Sequence, residues 1–484
     1  MYSQIAMPIL VPEVPVVIPG AGLQEIRLAE ERLHAKFANA LRTNYDLDRT
    51  LVSFQANKRQ NGYRWFKYKE GFSAELIRYI LSGLGLSSGR ILDPFAGSGT
   101  TLFVASETGL DAVGIELLPS SAETIEVRNL LHLADKPYVA SALRQFQSSL
   151  SWQESGESEK FQHLRITAGA FPPDTELELG RYLHEANMIG DPVLRRILRF
   201  AAMCVLEDIS YTRKDGQYLR WDHRSGRNAG NKPFDKGHIV PFTHAICGKL
   251  EQISSDLIGH DRLIPDEPLA AKEGRADLQL GSCLELLPKM EANSFDALVT
   301  SPPYCNRYDY TRTYALELAM LGINEEQISA LRQTMLSCTV ENKEKQGLGA
   351  AFEAKQFRES MVAFESQELL QLILSYLDRC RDKGELNNNG IPRMVRNYFK
   401  ELTVVIFECA RLLKPGARFV MVNDNVRYQG VHIPVDLILS DIAQKAGLRT
   451  EAIWVLPKGK GNSSQQMGEH GREELRKCVY VWSR

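Results

Sequence analysis

Residues 93–101 read Asp-Pro-Phe-Ala-Gly-Ser-Gly-Thr-Thr, a spacing that suits a turn cradling a ligand. Gly97 and Gly99 let backbone approach a bound group with no Cβ in the way. The helix expected next opens with unpaired N–H groups that favour an anion such as a carboxylate. Glu116 ends the following strand, a position from which an acid can accept both hydroxyls of a ribose. These residues point to a nucleoside-containing cofactor. A dinucleotide site is the rival, but it expects a third glycine where Thr101 and Leu102 stand. A P-loop is excluded, because no Gly-Lys-Ser/Thr follows the turn. Far along the chain, Ser301, Pro302, Pro303 and Tyr304 close another strand. They offer a hydroxyl, a rigid pair that brings carbonyls and no N–H donors, and a flat aromatic face.

Two blocks of alternating strands and helices must position these groups. The first has a helix near Ser73–Gly83 and a strand at Arg90–Asp93, then a helix near Thr100–Thr108. A strand at Asp111–Glu116 and a helix near Ser120–Leu133 complete it. That order signals a parallel sheet with crossover helices. The second block has strands at Asp277–Leu280 and Phe295–Thr300 and a helix near Thr311–Leu321. It continues with a helix at Val395–Leu413, a turn at Lys414–Gly416, a strand at Arg418–Val422 and a helix at Pro434–Ala446. Strands Thr450–Val455 and Lys477–Trp482 form a terminal hairpin, joined by a Gly-, Ser- and Lys-rich loop expected to be mobile.

The run from Gly71 to Glu116 resembles the bacterial DNA amino-methyltransferases. Phe72-Ser-x-x-Leu76 is similar to their motif X, Asp93 to Thr100 to motif I, and Gly114-Ile-Glu116 to motif II. The resemblance implies S-adenosylmethionine as cofactor, held by Phe72, Asp93, Phe95, Gly97, Ser98, Gly99, Thr100 and Glu116, with Ser282 near the adenine. Two positions depart from the pattern: Ser73 stands where a proline is usual, and Ser282 where an aspartate is often found. The motif order X, I, II, a long insert, then III and IV resembles a circular permutation of the usual N4-cytosine arrangement.

An amino group on a base is a poor nucleophile, because its lone pair is delocalised into the ring. Acceptors aimed at its hydrogens favour a pyramidal nitrogen and stabilise the charge that develops during transfer. The Ser301 hydroxyl and a carbonyl held by Pro302 and Pro303 supply such acceptors, and Tyr304 gives a face for a base swung out of duplex DNA. In the resembled family Ser-Pro-Pro-Tyr accompanies N4 of cytosine and Asp-Pro-Pro-Tyr accompanies N6 of adenine, so the form here favours cytosine. Adenine-N6 methylation, methylation of an RNA amino group and a non-catalytic, cofactor-gated DNA-binding protein remain the other readings. Cys305 suggests the thiol nucleophile of C5 methylation, but Tyr304 separates it from the proline; it reads as a buried neighbour. Asn423 and Asp424, after a strand, are placed to line a base pocket.

The expected architecture is α/β: a Rossmann-like, seven-stranded S-adenosylmethionine-dependent methyltransferase sheet with a helical insertion subdomain. Residues 1–60 form an N-terminal arm and helix, 61–135 the cofactor half, 136–272 an insert that reads target sequence, and 273–484 the catalytic half with a helical insert at 324–392. The chain has 484 residues, 44% hydrophobic and 24% charged, with a net charge of only −2. Local charge is more telling. Tyr211–His238 holds seven Lys and Arg, including Arg220, Arg224, Arg227 and Lys232, against three Asp. Lys58–Lys69 interleaves basic residues with Tyr63, Trp65, Phe66 and Tyr68. Both stretches suit a phosphate backbone and stacked bases, and Lys458, Lys460, Arg472 and Arg476 suit a loop closing over DNA. The eight cysteines form no C-x-x-C pair, which argues against a zinc site or a disulfide framework. With no apolar run near the roughly 20 residues that span a bilayer, a cytoplasmic enzyme acting on duplex DNA is expected, beside a cognate restriction endonuclease.

Overall fold

Adjacent residues of the central strands face different cores, as the period of two along a strand requires. Leu92 and Leu298 pack with the long helix Ile391–Leu412, while Ile91 and Ala297 pack with Ala74–Leu84 and Thr100–Glu107. Both sheet faces are thus covered, which is why these strands read as near-continuous apolar runs. The computed structural model describes residues 22–215, 218–227, 233–259, 273–457 and 475–484.

The central sheet has eight strands, numbered here in chain order: β1 (Leu41–Thr43), β2 (Arg90–Asp93), β3 (Asp111–Glu116), β4 (Ala276–Leu280), β5 (Phe295–Thr300), β6 (Leu413–Asp424), β7 (Arg449–Val455) and β8 (Lys477–Ser483). Across the sheet the order is β1-β7-β8-β6-β5-β2-β3-β4. Only β8 runs against its neighbours; every other pairing is parallel. The expected seven strands are therefore one too few. The extra strand, β1, lies in the segment read as an arm and pairs Leu41 with Ile453. Its three residues are half-buried or exposed, so no alternation reveals it.

The expected turn at Lys414–Gly416 is instead part of β6, with Gly416 at φ +79°. The helix expected over Thr311–Leu321 is two short ones, Tyr310–Thr313 and Ala315–Met320, which break at the fully buried Tyr314. The described residues of the region 136–272 are mostly helical, with Lys136–Ser149, Pro173–Met188, Pro192–Ile209 and Phe242–Ile258 beside a ribbon of Thr212–Asp215 and Tyr218–Trp221. Among the described residues it closes no core of its own. Its apolar side chains form one cluster with Trp65, Phe66, Tyr68, Leu118 and the residues of Tyr310–Met320. The Lys214 ammonium pairs with the Glu317 carboxylate in that shared interior. At the periphery Arg196 pairs with Glu123 at 2.6 Å, and the Trp65 indole N–H donates to Asp256 at 2.7 Å. Within 324–392, Ala354–Glu365 and Glu368–Asp382 pack into the core behind the sheet.

Candidate active site

β2 and β5 are neighbours in parallel register, so Asp93 and Thr300, which end them, reach the same rim. The Thr300 hydroxyl donates to Asp93 Oδ1 at 2.6 Å, tying the two strand ends together. The same oxygen accepts the Phe95 N–H at 3.1 Å. Burial pushes the Asp93 carboxyl up to about 6, against the lowering effect of these donors and of the Thr101 hydroxyl.

The turn after β2 is fixed by backbone bonds, Ala96 N–H to Ile115 O at 2.9 Å and Gly99 N–H to Ala96 O at 2.8 Å. Gly97 and Gly99 adopt φ of +55° and +80°, the left-handed region that favours glycine. A Cβ on Gly97 would lie 2.8 Å from the Tyr68 ring, and one on Gly99 2.7 Å from Ile125.

Glu116 is held by three backbone donors. Its Oε2 accepts from Gly97 at 2.6 Å, and its Oε1 accepts from Leu117 at 2.9 Å and Leu118 at 2.7 Å. A carboxylate has about four acceptor positions, so one stays open at Oε2. Burial raises this carboxyl to about 7, although all three donors favour its charged form.

These groups border a cavity of about 290 Å³. Of the residues expected around a cofactor, Phe72, Phe95, Gly97, Ser98, Thr100, Glu116 and Ser282 line it. Asp93 and Gly99 are not on its wall; Asp93 is buried behind it and bonds to Thr300. Ser301, Pro302, Pro303 and Tyr304 line the same cavity. The Ser301 hydroxyl donates to the Tyr304 phenol oxygen at 3.3 Å, leaving the serine lone pairs to accept from elsewhere. Burial and the negative Asp424 keep the Tyr304 phenol protonated, pushing it above its ordinary range. Cys305 is fully buried, and burial pushes its thiol well up.

Among the wall residues that escaped the cofactor and transfer patterns are Tyr68, Glu70, Tyr308 and Lys477. Tyr68 stacks on Tyr314 at 5.4 Å between centroids, and the Tyr314 phenol donates to Glu70. Glu70 lies two residues before Phe72, the start of motif X, a proximity that could have flagged it. Asn423 and Asp424 divide: Asp424 borders the cavity, whereas Asn423 is buried and donates to the Tyr398 phenol at 2.9 Å.

The residues expected to meet DNA are placed less favourably. Arg224 is bound to Asp222 at 2.7 Å and to Gly237 O, and Arg220 to Asp215 at 3.0 Å and to the face of Phe234. Arg227 donates to the carbonyls of Arg165, Ile166 and Ala168 and stacks on Trp221. All three are staples within the insert, because carbonyls and carboxylates lie in reach. Arg476 likewise pairs with the buried Asp436 at 2.8 Å. Tyr63, Trp65 and Phe66 are buried in cores, not displayed for stacking, and Tyr68, though buried, borders the cavity. Lys232, Lys458, Lys460 and Arg472 lie outside the described residues. Among the described residues, no helix is long and apolar enough to cross a membrane.

A nucleoside-bearing methyl donor fits this cavity. It offers an open carboxylate acceptor for a hydroxyl, aromatic walls at Phe72 and Phe95, and a glycine where a Cβ would intrude.

Comparison with known proteins agrees with this reading. The DNA methylase family (N6_N4_Mtase) matches residues 37–127. The type II methyltransferase M.AvaI of Nostoc sp. (strain PCC 7120) is 48% identical over 463 residues, covering 95% of this chain and 94% of that protein. The type II methyltransferase M.BsoBI of Geobacillus stearothermophilus is 40% identical over 475 residues, covering 94% and 91%. The type II methyltransferase M.BglII of Bacillus subtilis shares 35% over 81 residues, 16% of this chain and 22% of that protein. No solved structure matches the chain. Identity of this depth along nearly the whole chain, with the cavity those strand ends build, makes the protein a member of the type II DNA methyltransferases, an amino-methyltransferase that uses S-adenosylmethionine.

Proposed function

We propose that the enzyme methylates the exocyclic N4 amino group of cytosine in duplex DNA, as the modification partner of a restriction endonuclease. One observation carries this: residues 94–98 and Thr100 wall a single cavity with residues 301–304, although two hundred positions separate them in sequence. Bound S-adenosylmethionine supplies a methyl group on a sulfonium, open to attack by a nitrogen. In this reading Glu116 accepts a ribose hydroxyl at its open Oε2 position, and Phe72 and Phe95 pack on the apolar parts of the donor. Ser301 accepts a hydrogen bond from one amino hydrogen through its free lone pairs and the Pro302 carbonyl one from the other, and the nitrogen, once methylated, sheds one of these protons to solvent. Tyr304 packs on the extruded base. Positioning and charge stabilisation supply the rate, and no covalent enzyme adduct is needed. Ser301 in place of aspartate supports cytosine, and the relatives' designation as type II methyltransferases supports a restriction–modification setting. The insert around Thr212–Asp215 and Tyr218–Trp221, docked against the cavity wall through Tyr314, is the candidate reader of target sequence.

Methylated DNA digested to nucleosides tests the base. N4-methylcytosine is the expected product, and N6-methyladenine overturns the assignment. In the same assay Ser301→Ala should lower turnover by about 100-fold or more while cofactor affinity changes less than threefold. Equal loss of both would give Ser301 a folding role instead.

A further inference from the structure

Asp424 and Lys477 face each other across the antiparallel pair β6 and β8, at the C-terminal end of the one and the start of the other. Their side chains form an ion pair, Lys477 Nζ to Asp424 Oδ2 at 2.6 Å, and both residues border the cavity that Ser301–Tyr304 walls. Asp424 is close enough to Tyr304 for its charge to act on that phenol. The pair therefore stands at the Tyr304 end of the cavity, away from Glu116 and the glycine turn.

An ammonium carries three donors and no acceptor. With one donor spent on Asp424, two remain for a ligand. Lys477 keeps 42% of its side chain exposed, so it is not sealed in by the fold. Its chemistry suits a base edge with acceptors beside the target amino group. Cytosine presents N3 next to N4, and then O2. Adenine presents N1 next to N6, and then only a C–H. An ammonium that spans two adjacent acceptors discriminates between them.

We propose that Lys477, oriented by Asp424, is the base-reading donor of this enzyme, bonding to N3 and O2 of the extruded cytosine while Ser301 and Pro302 hold its amino group. Asp424 is a positioning residue in this scheme: it restricts the ammonium to one arc. The proposal rests on the cytosine assignment above.

Pairing enzyme and substrate changes tests it. Duplexes carrying cytosine or 3-deazacytosine at the target position, the second lacking the N3 acceptor, are methylated by wild type, Lys477→Met and Asp424→Asn, and kcat/KM is measured for each. Wild type should lose about 10- to 100-fold on 3-deazacytosine, within the range of one lost base contact. Lys477→Met should lose a similar factor on cytosine, yet less than about threefold further on 3-deazacytosine, because the contact is already gone. Lys477→Arg should retain more activity than Lys477→Met. Cofactor affinity, measured alongside, reports whether each variant is folded, and a double loss that is the product of the single losses overturns the proposal even where folding is perturbed. Nucleoside analysis of the wild-type product separates the two ideas. Methyladenine overturns both, whereas methylcytosine with multiplicative losses overturns only the role of Lys477.

Discussion

At Glu116, three backbone N–H groups favour a carboxylate while burial favours the neutral acid, and burial wins, lifting the group to about 7. Only the charged form offers its full set of acceptors to a ribose. Cofactor affinity should therefore be complete above about pH 7 and weaken as pH falls through it, approaching tenfold per unit. Folding stability has the opposite sign. A carboxyl raised in the folded state favours folding most below its ordinary value, and that contribution is lost as pH rises through about 7. Glu116→Gln should flatten the affinity profile and weaken binding roughly tenfold at alkaline pH, as expected for hydrogen bonds to a charged group. Calorimetric titration of cofactor from about pH 6 to 8 checks this, and an unchanged slope in the variant rules Glu116 out as the titrating group. The positions of Glu116 and Ser301–Tyr304 on the cavity were legible because each ends a strand whose apolar run is unmistakable. Asp93 was read correctly as a strand end, yet its bond to Thr300 depends on β2 and β5 being neighbours, which no local pattern encodes.

Elements differ in how openly they announce themselves. Strands β2, β3 and β5 are buried on both faces, and the helices beside them begin and end at clear signals, such as Ser73 accepting from the Leu76 N–H at 3.1 Å. β1 is three residues long and gains its place only by pairing with β7, so tertiary context alone defines it. The aromatic run Tyr63–Tyr68 misled for a related reason: interleaved Lys and Arg look solvated until long-range partners such as Asp256 and Glu207 arrive. Glycine was the better guide. Gly99 needs both positive φ and open space, whereas Gly83 lies in the helix Ala74–Leu84 with no atom within 4 Å of a built Cβ. Gly99→Ala should destabilise the protein by about 1–3 kcal/mol and weaken cofactor binding with it. Gly83→Ala should raise stability by roughly 0.5–1 kcal/mol. Thermal unfolding with and without cofactor distinguishes them, and matching shifts in the two variants would mean that the glycine turn is not strained.

Across the whole molecule, the insert and the methyltransferase sheet are joined by buried charge. Lys214, on the ribbon Thr212–Asp215, and Glu317, in the helix Ala315–Met320, are almost wholly removed from solvent. The ammonium sits 4.3 Å from the centre of the Tyr314 ring, whose phenol reaches Glu70 on the cavity wall. Both charges are desolvated, so their mutual attraction is largely offset, and the pair as a unit adds little stability. Removing one partner is another matter. Lys214→Met strands the Glu317 carboxylate, whose second oxygen already lacks a hydrogen-bond partner, and should cost roughly 3–5 kcal/mol. Lys214→Met combined with Glu317→Leu should recover most of that loss, because an apolar pair needs no compensation in this interior. A chain of this size need not unfold in one step, so the local readout is hydrogen exchange in the ribbon and in Tyr310–Met320. The single variant should accelerate exchange in both segments together, and the double variant should restore it. If the ribbon alone loosens, the insert is not coupled to the cavity wall through this pair. If the double variant is as unstable as the single one, the pair holds the interface by its charge and not by the shape of the cluster around it.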